Sequence, residues 1–221
     1  MKTILLIGLG RFGQHMAQKF WELDNEVLAI DTDEAQIEAV LPYVTNAQIA
    51  DCTNEGFIRT LGVPDFDLCV VAVGSDFRAS LEITALLKDN GAKLVVARAS
   101  NEFHAKFLLR NGADHVVYPE KHTADWAAVC FSNDTVFDYM PLTNDYSIYE
   151  VGVPKRWVGK TVAELAVRQR DNLNVLATKR GEQLDPMLNA QHVFREDETV
   201  LVMGNNRDLQ RFLRQVRPGQ R

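Results

Sequence analysis

The fold of this chain is decided by residues 4–13, which read Ile-Leu-Leu-Ile-Gly-Leu-Gly-Arg-Phe-Gly. An apolar run, Ile4 to Ile7, leads directly into glycines at positions 8, 10 and 13, the spacing G-x-G-x-x-G. Between a strand and a helix this spacing binds phosphate, because glycine permits a tight turn and the helix N-terminus presents free N–H groups. The sequence therefore predicts a strand-loop-helix unit with a phosphate site formed by Gly8, Gly10 and Gly13.

Two larger side chains occupy the end of this loop, Arg11 and Phe12, and the helix is predicted to begin near Phe12. Dinucleotide enzymes more often have small or apolar residues where Arg11 stands. A guanidinium binds a terminal phosphate through two parallel hydrogen bonds, so Arg11 could report the number of phosphates. The alternative is an arginine on the exposed first turn of a helix, without a ligand.

Asp31 supplies the second half of the nucleotide-binding pattern. It ends the second apolar run and stands 18 residues beyond Gly13. A carboxylate at this place accepts hydrogen bonds from a ribose diol and repels a 2′-phosphate, which favours NAD or an ATP-type nucleotide over NADP. The alternative is a turn-forming aspartate, a role that suits Asp33 better.

Six short apolar runs alternate with segments of helical periodicity, which is the pattern of parallel strands covered by helices on both faces. The runs are Ile4 to Ile7, Glu26 to Ile30, Ala47 to Ala50, Leu68 to Val73, Lys93 to Ala97 and His115 to Tyr118. We therefore expect an α/β fold with a Rossmann-like, doubly wound parallel sheet.

Open sheets of this kind bind ligands at the carboxyl ends of their strands. The residues expected at that edge, besides Asp31, are Thr32, Asp51, Cys52, Thr53, Val73, Gly74 and Arg98. Cys52 could be a nucleophile, but no histidine or aspartate stands at a recognisable spacing from it, and a small packing residue is the alternative interpretation.

The domain boundary is predicted after a crossover helix that starts near residue 121. Residues 1–132 form the nucleotide-binding domain, and residues 133–145, rich in Asn, Asp and Pro, form a connector. Residues 146–221 form a second, smaller α/β domain. It contains a helix near Val162 to Arg168 and a final amphipathic helix that begins near Arg207.

Composition excludes several classes of protein. The 221 residues carry a formal net charge of -6, which argues against a nucleic-acid partner. The longest apolar run is far shorter than the roughly 20 residues that a membrane-spanning helix requires, and the first strand begins too early for a signal peptide. We expect a cytoplasmic protein. Its three cysteines are widely spaced and its histidines lack ligand spacing, so neither disulfides nor a structural metal are predicted.

The sequence predicts no catalytic residue. Hydride transfer requires an acid or base beside the substrate, and neither a Tyr-x-x-x-Lys pair nor a hydrolase or P-loop motif occurs. The prediction is a protein that is not an enzyme. Two alternatives remain open: an NAD-dependent oxidoreductase, and a redox sensor that reads NADH and uses Cys52.

Several segments together resemble one family, the cytoplasmic RCK-domain regulatory subunits of bacterial potassium uptake systems, of the KtrA and TrkA type. The resemblance covers nearly the whole chain. The segments that carry it are residues 7–13, Asp31, residues 50–53 (Ala-Asp-Cys-Thr), residues 111–114 (Asn-Gly-Ala-Asp) and residues 118–121 (Tyr-Pro-Glu-Lys).

The resemblance implies a first domain that binds ATP or ADP, with NAD(H) as a further candidate. Asp31 would hold the ribose, and Arg98 would border the adenine. Arg11 would sense the terminal phosphate, either of its own subunit or across a subunit boundary. Glu120 would lie near the phosphates or bind an associated cation.

The resemblance also implies dimers that assemble into an octameric ring at the inner face of the membrane, beneath an integral-membrane potassium pore of the KtrB/TrkH type. The second domain is similar to a TrkA-C (RCK_C) module, which in some members binds cyclic di-AMP. Arg168 and Pro186 stand at positions similar to ligand contacts there, whereas Val162-Ala163 replaces a bulkier aliphatic pair.

Overall fold

The computed structural model describes residues 1–216, which form two compact units that divide between Lys121 and His122. The boundary lies eleven residues before the end of the first domain as predicted from sequence, residue 132. Residues 217–221 of the predicted second domain lie outside the described part of the chain. Within residues 1–216, no helix is both long enough and apolar enough to cross a membrane.

The first unit contains the six-stranded parallel sheet that the apolar runs predict. Its strands lie in the order β3-β2-β1-β4-β5-β6, in which the direction of winding reverses beside β1. The strands are β1 (Thr3–Ile7), β2 (Glu26–Asp31), β3 (Asn46–Ile49), β4 (Leu68–Val71), β5 (Val95–Arg98) and β6 (His115–Val117).

Helices connect these strands. They are α1 (Arg11–Glu22), α2 (Glu34–Val40), α3 (Glu55–Thr60), α4 (Phe77–Asp89) and α5 (Glu102–Arg110), and α6 (Pro119–Phe131) follows β6. Short 3-10 helices occur at Leu41–Tyr43 and Val63–Asp65. Helices α2 and α3 lie between apolar runs, where helices are expected, and they are short, with seven and six residues.

Strand β1 shows why the sheet is covered on both faces. Leu5 and Ile7 point into a core that includes residues of α3, α4 and α5, whereas Ile4 and Leu6 point into a core that includes residues of α1 and α2. All four side chains are at most 2% exposed. Burial on both faces requires apolar residues at consecutive positions, and this explains the unbroken apolar runs of the sequence.

The second unit has a five-stranded antiparallel sheet in the order β10-β9-β11-β8-β7. Its core includes the large buried side chains of Trp157, Phe194 and Phe212. The strands are β7 (Val136–Pro141), β8 (Tyr146–Gly152), β9 (Asn174–Arg180), β10 (Gln183–Asp185) and β11 (Thr199–Asn205), and the helices are α7 (Val162–Leu165), α8 (Val167–Asp171) and α9 (Asn206–Val216).

Two expectations for the second unit differ from the structure. The predicted connector, residues 133–145, contains strand β7, which pairs with β8 through an irregular register between Val136 and Asp138. Its Asp and Pro residues suggested a loop, but pairing with β8 satisfies its backbone. The helix predicted from Val162 to Arg168 is broken at Ala166, whose φ of 46° is left-handed and separates α7 from α8.

A buried histidine, His104 of α5, connects α5 to α4 and to the loop after β5. Its Nε2 lies 2.7 Å from Ser80 Oγ, and its Nδ1 accepts a hydrogen bond of 3.2 Å from the Ser100 amide. Ser80 Oγ in turn donates to the Phe77 carbonyl, so Nε2 carries the proton. Burial lowers the pKa of His104, because the charged imidazolium would lose its hydration.

The network around His104 makes the stability of the first unit depend on pH. An unfolded histidine has a pKa near 6.5, so below about pH 6.5 the unfolded chain binds a proton that the folded chain excludes. We expect the free energy of unfolding to fall with decreasing pH in that range, by up to about 1.4 kcal/mol per pH unit. Urea unfolding between pH 5 and 8 measures this slope, which His104→Leu should reduce. Equal slopes in the two proteins would contradict the assignment.

Candidate functional site

The glycine-rich loop has the geometry that its spacing predicts. Gly8 has a φ of 92°, a left-handed conformation that favours glycine, and a Cβ at Gly13 would lie 2.0 Å from the Gly8 carbonyl oxygen. Helix α1 therefore begins in direct contact with the end of β1. The loop is fixed further by a hydrogen bond of 2.9 Å from the Gly8 amide to the Ile30 carbonyl.

The N-terminus of α1 is open toward a ligand. Its N-cap residue is Gly10, which has no side chain to accept a hydrogen bond from the first turn, and a Cβ at Gly10 would meet nothing within 4 Å. The first-turn N–H groups thus have no side-chain cap, while the helix dipole places partial positive charge there. This open space is the one a phosphate group requires to approach the backbone closely.

Asp31, at the end of β2, holds the loop from the side. Its Oδ2 accepts a hydrogen bond of 2.6 Å from the Leu9 amide, and its Oδ1 accepts one of 3.0 Å from the Asp33 amide. Each carboxylate oxygen has a second lone pair, so both remain able to accept from a ribose hydroxyl. The alternative role as turn former belongs to Asp33, whose carboxylate caps α2 through the Ala35 amide.

A cavity of about 610 Å³ lies at the carboxyl edge of the sheet and is lined by most of the predicted site residues. Its lining includes Gly8, Gly10, Asp31, Thr32, Asp51, Cys52, Thr53, Val73, Gly74 and Arg98. Of the other predicted residues, Phe12, Gly13 and Glu120 contact members of this lining. Exposed Arg11 occupies the first position of α1.

The sequence analysis missed the contribution of α4. Arg78, Ala79 and Glu82 of this helix line the cavity. Asp76 lines it as well, and its carboxylate caps α4 by accepting a hydrogen bond from the Ala79 amide. Arg78 and Glu82 form an ion pair of 3.5 Å at a spacing of four residues. The spacing of Arg78 and Glu82 after the fourth strand could have indicated that α4 lines the cavity. The same spacing is also the ordinary pattern of a solvent-exposed helix face.

Asp51 and Thr53 form a compact turn after β3. The Asp51 carboxylate accepts hydrogen bonds from the amide of Thr53, at 2.9 Å, and from its hydroxyl, at 2.8 Å. These two bonds lower the pKa of Asp51 and keep the carboxylate charged. The turn thus presents fixed acceptors on the β2–β3 side of the cavity.

Arg98 lies at the end of β5, where the cavity meets α6. Its Nη2 forms an ion pair with Glu120 Oε1, and its Cζ is 5.5 Å from the centroid of the Phe12 ring. Glu120 has a lowered pKa, because it accepts a hydrogen bond from its own backbone amide and another from Arg98. Glu120 therefore stays ionised beside the guanidinium.

The strand order separates Arg98 from Asp31. Strands β1 and β4 stand between β2, which carries Asp31, and β5. With the ribose at Asp31 and the phosphates at the start of α1, the adenine would continue toward β3. Arg98 lies on the opposite side of β1 from Asp31, and its expected place at the border of the adenine stays a prediction.

The cation site expected at Glu120 has no supporting ligand set. Among residues 1–216, no group of three or more His, Cys, Asp or Glu side chains could hold a metal ion. The guanidinium of Arg98 already neutralises the Glu120 carboxylate. A cation at this place stays a prediction.

Cys52 is buried in the wall of the cavity. Burial, together with the negative charges of Asp51 and Asp31, raises the pKa of its thiol to about 12. A thiolate is the reactive form of cysteine, so this environment suppresses nucleophilic and redox chemistry. The packing interpretation of Cys52 fits its surroundings.

The two predicted ligand residues of the second unit, Arg168 and Pro186, do not line the same depression among those found in residues 1–216. Exposed Arg168, on α8, lines a depression of about 330 Å³ together with Val162 and Ala163. Exposed Pro186 follows β10, and neighbouring Asp185 lines a different depression of about 440 Å³. A shared ligand site for Arg168 and Pro186 stays a prediction.

Comparison with known proteins identifies both parts of the chain. Residues 4–119 match the TrkA-N domain family and residues 146–217 match the TrkA-C domain family. Over 97% of its length the chain is 33% identical to the Ktr system potassium uptake protein C of Bacillus subtilis (strain 168), of which it covers 97%. The Ktr system potassium uptake protein A of the same organism is 32% identical, with 96% of this chain and 95% of that protein covered.

A solved structure described as the GsuK channel bound to NAD has a similar fold, with a TM-score of 0.67. The match covers 94% of this chain and 38% of that one, at 15% sequence identity. This chain thus spans less than two fifths of that channel chain, and the likeness shows the fold alone.

The buried position of Cys52 predicts low thiol reactivity. With a pKa of about 12, only about one thiol in 10⁴ is ionised at pH 8. We expect Ellman's reagent to modify Cys52 at least about a hundredfold more slowly in the folded protein than in urea, with peptide mass spectrometry to identify the site. Rapid modification of the folded protein at Cys52 would support the redox-sensor alternative instead.

Proposed function

Because this chain belongs to the family of potassium uptake proteins with a TrkA-N domain followed by a TrkA-C domain, we propose that it is a nucleotide-binding regulatory subunit of a potassium ion uptake system. In this role an adenine nucleotide is a signal and not the substrate of a reaction. The protein acts in the cytoplasm, at the inner face of the membrane, through an integral-membrane potassium pore of the KtrB/TrkH type.

The observation that carries the nucleotide assignment is the convergence of two features on one cavity. The uncapped start of α1 offers N–H groups for phosphates, and the Asp31 carboxylate on the next strand has lone pairs that can accept hydrogen bonds from ribose hydroxyls. Two such groups on adjacent strands at the switch point of a doubly wound sheet match a nucleoside phosphate. ATP or ADP is the proposed ligand, with NAD(H) as the second candidate.

Arg11 would distinguish ATP from ADP. It occupies the first position of α1 and, within residues 1–216, its side chain forms no hydrogen bond or salt bridge, although its charge acts on Glu120. Its guanidinium is thus available to a terminal phosphate. A fork of N–H donors matches a terminal phosphate in geometry and charge. The phosphate sensed could belong to the same protomer or to a neighbouring one.

The proposed mechanism is a shift of population between two shapes of an assembled ring. Two nucleotides that differ by one phosphate would favour different shapes, with a coupling energy of about 1–3 kcal/mol per effector. A nucleotide with equal affinity for both shapes would have no effect on the pore. In the second unit, cyclic di-AMP is a candidate second effector at the depression that contains Arg168.

Exposed aromatic and apolar side chains support self-association, and the proposed assembly consists of dimers in an octameric ring. Phe131, at the end of α6, is 81% exposed, and Phe137 and Met140 of β7 are each 57% exposed. Large side chains of this kind are the usual core of contacts between protein copies.

The nucleotide assignment is tested by titration calorimetry of the full chain with ATP, ADP, NAD+ and NADH. ADP should bind, and a phosphate on its ribose 2′-oxygen should weaken binding because it faces the Asp31 carboxylate. Asp31→Asn should weaken ADP binding by about tenfold or more, the usual range for hydrogen bonds to a charged group. Asp33→Asn, with the same charge change on the cap of α2, is the matched control. Absence of binding by every adenine nucleotide would contradict the proposal.

Self-association is tested by analytical ultracentrifugation. The wild-type chain should form dimers and larger species at micromolar concentration, and Phe131→Ser should shift the distribution toward smaller species. Leu23→Ser, which changes a side chain that is 59% exposed in the turn after α1, is the matched control. A wild-type monomer at that concentration would exclude the ring.

A further inference from the structure

The cavity at the carboxyl edge of the sheet forms a cleft with two halves. A mononucleotide would occupy only one of these halves. Doubly wound sheets hold the two nucleosides of a dinucleotide over two strand groups on either side of the switch point. Asp31 belongs to the β1–β3 half, which would take the adenosine. The second nucleoside of a dinucleotide would therefore extend past β1 over β4 and β5.

Arg98 occupies the entry to this second half, at the end of β5. Its guanidinium lies against Gly74, so closely that a Cβ at Gly74 would be 2.8 Å from Nη1 and 3.0 Å from Cζ. It also lies over Phe12, in the first turn of α1, and pairs with Glu120, in the first turn of α6. The side chain thus connects the first turn of α1 to the loop after β4, which contains Gly74, and to the first turn of α6.

Glu120 and Gly74 together hold the Arg98 guanidinium in place. The Nε atom is buried and, among the described residues, has no hydrogen-bond partner. Nη2 is held by the Glu120 carboxylate, and the guanidinium plane is held by contact with Gly74. Burial of an unpaired donor is unfavourable, so loss of the Glu120 charge would allow the guanidinium to leave the cleft for water.

We propose that the Arg98–Glu120 ion pair closes the second half of the cleft and makes the site prefer adenine mononucleotides to dinucleotides. This inference rests on the proposed nucleotide function and names the residues that set its ligand class. ADP leaves the ion pair intact, since its phosphates end at the start of α1. NAD+ would have to displace the guanidinium from Gly74 and break its pair with Glu120.

The test compares the affinities of the full chain for ADP and NAD+ by titration calorimetry. Wild type should bind ADP more tightly than NAD+. Arg98→Ala opens the second half and should reduce this preference by about tenfold, the effect of 1.4 kcal/mol. Glu120→Gln keeps the side-chain size but removes the charge, and should change the preference in the same direction. Thermal unfolding of each variant verifies that it is folded.

Arg110→Ala is the matched control, because Arg110 also lies over an aromatic ring, that of Phe107, at 5.8 Å, but does not line the cavity. It should leave the ratio of the two affinities unchanged. Equal weakening of ADP and NAD+ by Arg98→Ala would overturn the inference, because Arg98 would then bind a group that both ligands share. A wild-type preference for NAD+ would overturn it as well. If wild type binds neither ligand, the proposed function itself fails.

Discussion

The contact between Gly13 and the carbonyl oxygen of Gly8 is the constraint on which the first unit depends. A Cβ at Gly13 would lie 2.0 Å from that oxygen, so any side chain would push α1 away from the end of β1. The start of α1 would then leave the edge of the sheet where its N–H groups face the cavity. The same close approach that packs the helix on the sheet therefore also places the proposed phosphate site at this edge.

Charge is distributed unequally along this edge of the sheet. Carboxylates of Asp31 and Asp51 lie on the β2–β3 side, where hydrogen bonds from the Leu9 and Thr53 amides hold them in place. The Arg98 guanidinium lies on the β5 side. A nucleotide with its ribose toward the carboxylates and its phosphates at the helix start fits this distribution, because each part meets the group that recognises it.

Regulation requires an element outside the phosphate loop that responds to whether a ligand is bound. Glu120 stands in the first turn of α6, the helix in which the division between the two units falls, and it pairs with Arg98 beside the cavity. The cavity wall also contains Cys52, with a pKa raised to about 12 by burial and by neighbouring carboxylates. These features favour a site that holds and reports a ligand over one that transforms it.

The sequence by itself determined the parallel sheet, the glycine-rich loop and the place of Asp31 at the end of β2. Consecutive apolar residues and glycine spacing are local consequences of burial on both faces and of a tight turn. Only the tertiary structure decided the place of Arg98, the strand at Val136–Pro141 and the break at Ala166. Strand order sets which side chains meet at the edge of the sheet. Pairing with β8 satisfies the backbone hydrogen bonds of Val136–Pro141, although the composition of this segment suggests a loop. These outcomes depend on residues distant in sequence, and local composition carries no information about them.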